Sequence, residues 1–160
     1  MCTALTLKTK DGYNLFGRTM DLSYSFNQAV TLVPRKYEYR DRVTGNMKRT
    51  KYAIIGMGTV IEDYPAFADA MNEKGLACAG LNFPRYSYVE YLPVLCKRNI
   101  APYDLIFWIL SNFETVDDVK EAIRNIELVS VQINSQTPLP TLHWMVADAN
   151  GKSIVIEKTK

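Results

Sequence analysis

Strand signals through the first half, two helical segments, then further strands predict an α+β fold with helices covering a mainly antiparallel sheet. Two contrasts carry this prediction. Turn-forming residues punctuate short strand-like runs up to residue 81, whereas apolar residues at helical spacing first appear after Pro102. The chain of 160 residues fits one domain with a substantial core, and it shows no repeat, low-complexity tract or linker.

The elements follow in order. Residues 3–8 and 13–20 flank Lys10-Asp11-Gly12, a tight hairpin signal. Residues 28–33 make a third strand, stopped by Pro34. Residues 37–42 and 48–60 surround Thr44-Gly45-Asn46 and predict a longer hairpin. The turn Asn72-Glu73-Lys74-Gly75 leads into residues 76–81, whose alanines and glycine suit close packing against another layer. Residues 102–113 place Leu105, Ile106, Ile109, Leu110 and Phe113 at helical spacing. Thr115 and Asp118 form a capping-box pattern, in which a short side-chain oxygen satisfies a free N–H of the first turn. Behind it Val116, Val119, Ala122, Ile123 and Ile126 make one apolar face. Residues 128–133, 142–148 and 153–157 predict strands, the last two joined by an Asn150-Gly151 turn.

Composition excludes several function classes. A net charge of +2 gives no reason to expect a nucleic-acid partner. Basic residues cluster at 35–42 and 48–51, but Glu38 and Asp41 interrupt them, as on a solvated hairpin. No apolar run reaches the length of a membrane span, so no membrane partner is expected. Lys8, Lys10 and Asp11 break any apolar leader, and the expected location is the cytoplasm. Cys2, Cys78 and Cys96 have neither metal spacing nor an even count, so neither a zinc site nor a disulfide framework is expected.

The chemistry begins at Cys2. Removal of Met1 would leave one residue holding both a thiol nucleophile and a free α-amine, a base whose ordinary pKa is about 7.7–8.0. No histidine partner is then required, and His143 is the sole histidine. If Lys10-Asp11-Gly12 is a three-residue loop, Ala4 pairs with Arg18 and Cys2 with Met20, all on one face. A guanidinium would then favour thiolate at Cys2. A two-residue Asp11-Gly12 loop would slip the register by one and place Asp21 opposite Cys2 instead. Asp21, just past the strand end, could orient the α-amine, although Arg18 and Asp21 would serve equally well as a surface ion pair.

Met1-Cys2-Thr3, Phe16-Gly17-Arg18-Thr19-Met20-Asp21, Met71-Asn72-Glu73-Lys74-Gly75-Leu76 and Gly80-Leu81-Asn82-Phe83-Pro84 together resemble the choloylglycine hydrolase family. Thr141-Leu142-His143-Trp144 and Gly151-Lys152-Ser153-Ile154 extend the resemblance along the whole chain. That family comprises bile salt hydrolases and penicillin V acylases, and this chain looks nearer the former. The resemblance implies a four-layer αββα sandwich of the N-terminal-nucleophile hydrolase type. It also implies cleavage of the amide joining a bile acid to glycine or taurine.

By the same resemblance, Cys2 is the nucleophile, Arg18 its neighbour, Asp21 the amine-orienting carboxylate and Asn82 a main-chain oxyanion donor. Penicillin acylases often carry tyrosine at the position of Asn82. Met20, Phe26, Ile61, Ala68 and Ile133 match substrate-pocket positions. No metal or organic cofactor is implied; the expected partner is a small conjugated bile acid, within a homo-oligomer, often a tetramer in the family. Members are about twice as long, so residues 1–160 are expected to be the N-terminal half of one domain, a truncated sandwich. The alternatives are a penicillin V acylase, an inactive truncated scaffold, or a Cys–His protease using His143.

Overall fold

The computed structural model describes residues 2–22 and 25–160. Strands β1 (Thr3–Lys8) and β2 (Asn14–Thr19) form a separate hairpin. Strand β3 (Ala29–Val33) leads to a small hairpin of β4 (Glu38–Arg40) and β5 (Met47–Arg49). The long strands β6 (Ile54–Ile61) and β7 (Tyr64–Asn72) precede β8 (Ala77–Asn82). After β9 (Arg98–Ile100) come helices α1 (Leu105–Asn112) and α2 (Val116–Ala122). Strands β10 (Ile126–Leu128), β11 (Leu142–Ala147) and β12 (Ser153–Ile156) close the order.

A six-stranded antiparallel sheet in the order β12-β11-β8-β7-β6-β3 is the central layer. Helix α1 covers β7 and β8, and its residues from Leu105 to Ser111 are all buried. A helix apolar on every side must be enclosed on every side. Phe107 meets Phe67 of the sheet beneath and Tyr39 of β4 at 4.7 Å. Asn72 ties the sheet to the helix, donating from Nδ2 to the carbonyls of Leu110 and Phe113. The capping box at α2 forms as expected, with Asp118 N donating to Thr115 Oγ1.

Four expectations need correction. The run 48–60 is broken, because Thr50 turns inward to accept from Tyr37 N and donate to Pro34 O. The segment 102–113 opens with a 3₁₀ turn over Pro102–Asp104 before α1 begins. The apolar face behind Thr115 is not one helix: α2 ends at Ala122, a 3₁₀ turn spans Ile123–Asn125, and Ile126 enters β10. The strand expected over 128–133 instead covers Ile126–Leu128, paired in parallel with β9, and ends where Val131 N folds back onto Val129 O. Strands β7 and β9 have no counterpart among the expected elements. The β6–β7 turn uses Glu62 and Asp63, both with positive φ (50° and 62°), where glycine or asparagine would ordinarily signal such a turn.

The β1–β2 hairpin lies over the sheet face opposite α1, as the first element of a second β layer. That face is apolar and open. Leu32, Ile55 and Met71 form one cross-strand row, and they are 66%, 51% and 43% exposed. Val155 lies on the same face of β12 and is also exposed.

Candidate active site

Gly12 adopts φ +93°, Gly12 N donates to Thr9 O at 3.1 Å, and Thr9 N donates to Tyr13 O at 2.8 Å. The loop therefore has three residues, and Ala4 pairs with Arg18 and Thr3 with Thr19. One residue beyond the last pair, Cys2 and Met20 open onto a groove of about 950 Å3 between the hairpin, the sheet and residues 133–142. Arg18, Asp21 and Asn82 line the same groove, as do Phe26, Ile61, Ala68 and Ile133. All nine residues singled out from the sequence thus meet in one concavity. Met1, whose removal the chemistry needs, lies outside the described residues.

Arg18 is the electrostatic anchor of the groove. Its side chain is only 9% exposed, Nη2 donates to Gly80 O at 2.6 Å, and Nε lies 3.5 Å from Asp69 Oδ2. Neither Nε nor Nη1 has a hydrogen-bond partner among the described residues. A buried cation with spare donors is costly unless something else shares its field. Asp69 supplies part of that field. Burial raises its carboxyl above the ordinary range, while the Arg18 charge and the backbone of Met57 act the other way.

Asp21 is exposed, and its carboxyl is held below the usual range by the chain's terminal amine, through a hydrogen bond first and charge second. Asn82 closes β8, and Phe83 N donates to Thr141 O at 2.8 Å. Alternation along an antiparallel ladder then turns the Asn82 N–H away from β11. On its other side, the β7–β8 ladder has already ended at Asp69↔Ala79. This N–H therefore faces the groove side uncommitted by either ladder, while Asn82 Oδ1 accepts from Thr141 Oγ1 at 3.1 Å.

Other candidates fall elsewhere. His143 stacks on Phe83 at 4.6 Å, its Nδ1 lies 3.0 Å from Glu157 Oε1, and it does not line the groove. Cys78 is enclosed in the core, and burial pushes its thiol up, away from thiolate. Among the described residues, no cluster of histidine, cysteine and carboxylate side chains could hold a metal ion. Among the described residues, no helix is long and apolar enough to cross a membrane.

Asp69, Tyr103 and the segment 136–140 escaped sequence reasoning. Pro138 and Pro140 mark that segment as a loop, but nothing in its composition places it beside Cys2. A second hollow of about 460 Å3 opens between Phe16, Arg18 and the sheet residues Ile55, Met57, Asp69 and Met71.

Comparison with known proteins agrees with this geometry. Residues 2–160 match the family described as linear amide C–N hydrolases, choloylglycine hydrolase family. The chain is 51% identical over 160 residues to a bile salt hydrolase/transferase of Clostridium perfringens, covering 100% of this chain and 49% of that protein. A bile salt hydrolase/transferase of Lactiplantibacillus plantarum is 46% identical over 161 residues, covering 100% and 48%. The crystal structure of the C2A mutant of the conjugated bile acid hydrolase from Clostridium perfringens superposes with a TM-score of 0.95 at 50% identity, covering 100% of this chain and 49% of that one. A penicillin V acylase from Agrobacterium tumefaciens superposes at 0.75 with 20% identity, a likeness of fold alone, covering 100% and 47%. The chain spans about half the length of the curated relatives it matches.

Proposed function

This chain belongs to the choloylglycine hydrolase family, and from that membership we propose that it carries the nucleophile of an enzyme hydrolysing glycine- or taurine-conjugated bile acids. The observation that supports this most is the convergence of Cys2, Arg18, Asp21 and Asn82 on one largely apolar groove. An apolar groove with a few placed polar groups suits a rigid steroid bearing one polar amide.

The chemistry follows from the residues. Met1 is removed, and the amine of Cys2 takes the thiol proton, held in place by the Asp21 carboxylate. The sulfur attacks the amide carbonyl carbon, and the oxygen that becomes negative receives the Asn82 N–H. Such a donor is worth about 3 kcal/mol of barrier in other enzymes. Collapse of the tetrahedral intermediate breaks the C–N bond, and the ammonium of Cys2 gives its proton to the departing glycine or taurine. Water, deprotonated by the same amine, then cleaves the thioester and frees the bile acid. Met20, Phe26, Ile61, Ala68 and Ile133 form the apolar walls against which the steroid packs.

The 160 residues form the N-terminal half of one αββα domain in this reading, and further strands pack on the open face around Leu32, Ile55 and Met71. Three free thiols suit a reducing cytoplasm. Assembly into a homo-oligomer rests on family resemblance. The test is turnover of glycocholate, taurocholate and penicillin V, by the chain alone and with the second half of the Clostridium perfringens relative supplied in trans. The reading expects release of glycine or taurine, lost in step with alkylation of Cys2. Preferential cleavage of penicillin V, or turnover indifferent to that alkylation, overturns it.

A further inference from the structure

One irregularity in the sheet accounts for both partners of Arg18. In the β6–β7 ladder Met57 pairs with Asp69 and Gly58 with Phe67, so Ala68 has no partner. The bulge resets the alternation of β7. Phe67 meets Phe107 of α1, yet Ala70 belongs to the core under the same helix and Asn72 donates to the α1 carbonyl of Leu110. Residues three apart cannot share a face of a regular strand; the extra residue permits it. Asp69 is thereby turned to the opposite face, toward β2, instead of into the helix-side core. The same bulge stops the β7–β8 ladder at Asp69↔Ala79. Gly80, whose next partner would be Ala68, keeps a carbonyl free, and Arg18 Nη2 takes it at 2.6 Å.

We propose that Asp69 is a positioning residue, holding the Arg18 guanidinium together with Gly80 O so that Nη1 stays uncommitted beside Cys2. This rests on the placement of Cys2 and Arg18 at one reaction centre made above. Asp69 has both the reach and the charge to hold the guanidinium, since its Oδ2 lies 3.5 Å from Nε and its side chain is 24% exposed. The groups in contact with Arg18 are Asp69 from β7 and Gly80 O from β8, while Cys2 and Asp21, from the hairpin and its exit, line the same groove. No lysine or second arginine lines the groove or the adjoining hollow among the described residues, so Arg18 is the one cationic side chain there, alongside the terminal amine.

Position and mere counter-charge differ in sign. As a counter-charge, Asp69 weakens the field of Arg18 at the thiol, and its removal would strengthen it. As a positioning group, Asp69 keeps the guanidinium near the thiol, and its removal lets the cation relax toward solvent. Alkylation reads the difference without any substrate. In a Cys96→Ser background with Met1 removed, the rate of Cys2 modification by anionic iodoacetate is divided by that with neutral iodoacetamide. Arg18→Gln sets the scale by lowering this ratio. Asp69→Ala is expected to lower it in the same direction, by about threefold, the size of a partly screened charge contact. Asp69→Ser, too short to reach Nε, is expected to do the same where the alanine variant unfolds. A ratio that rises or stays constant in these variants, while Arg18→Gln lowers it, overturns the positioning role and leaves the Arg18–Cys2 centre standing. A ratio unmoved by Arg18→Gln overturns both.

Discussion

Replacing Asp104 by asparagine should change how stability depends on pH. Asp104 sits buried at the start of α1, where Tyr64 Oη donates to its Oδ1 and Tyr103, a groove-lining residue, is its sequence neighbour. Burial raises its carboxyl from 3.8 to about 6, with the Tyr64 hydrogen bond acting against the rise and Asp41 adding to it. The folded state therefore binds a proton more tightly than the unfolded one. Its stabilising contribution is complete below pH 3.8 and is lost as pH rises through about 6. That span corresponds to about 3 kcal/mol, an order-of-magnitude figure. Asparagine keeps the volume and an acceptor for Tyr64 but carries no proton to lose. Urea titrations at pH 4, 5, 6 and 7 should show Asp104→Asn gaining on the parent chain by about 3 kcal/mol across the series. A constant difference between the two chains at all four values refutes the burial of an ionisable Asp104.

Two further expectations are simpler. Asn72→Ala removes two donations, to the carbonyls of Leu110 in α1 and Phe113 just past its end, and the Oδ1 acceptor for Lys74 N and Leu76 N, so urea unfolding should report a loss of about 3 kcal/mol or more. Thiol labelling of the native chain should mark exposed Cys96 rapidly and Cys78 only after unfolding, read by peptide mapping.

What was legible in the sequence tracks where local chemistry dictates geometry. The β1–β2 hairpin follows from glycine at its left-handed position, Gly12, and its register in turn brings Arg18 to the face of Ala4. The capping box of α2 follows from Thr115 and Asp118, and the β11–β12 turn from Asn150-Gly151. Where tertiary contacts override local preference, reading fails. Glu62 and Asp63 turn the chain without glycine, which hides β7 from the sequence. Thr50 breaks the run before β6 because its hydroxyl satisfies Pro34 and Tyr37, two residues far along the chain. In the site, Cys2, Arg18 and Asp21 emerge from register and chemistry together. Asn82 comes from family resemblance alone, since the direction of its N–H depends on ladders formed by β7 and β11. Asp69 is invisible, because the bulge that aims it leaves no mark in the composition of Ala66, Phe67 and Ala68.

In the proposed reaction Cys2, as the first residue, forms a covalent acyl intermediate. Mass spectrometry of the acid-quenched protein after brief exposure to glycocholate, with the completing half supplied in trans, tests it most directly. The expected product is an N-terminal peptide that begins at Cys2 and carries the cholyl group as a thioester, absent in Cys2→Ser. A turning-over enzyme whose N-terminal peptide still begins at Met1, or whose acyl group sits on another residue, contradicts it.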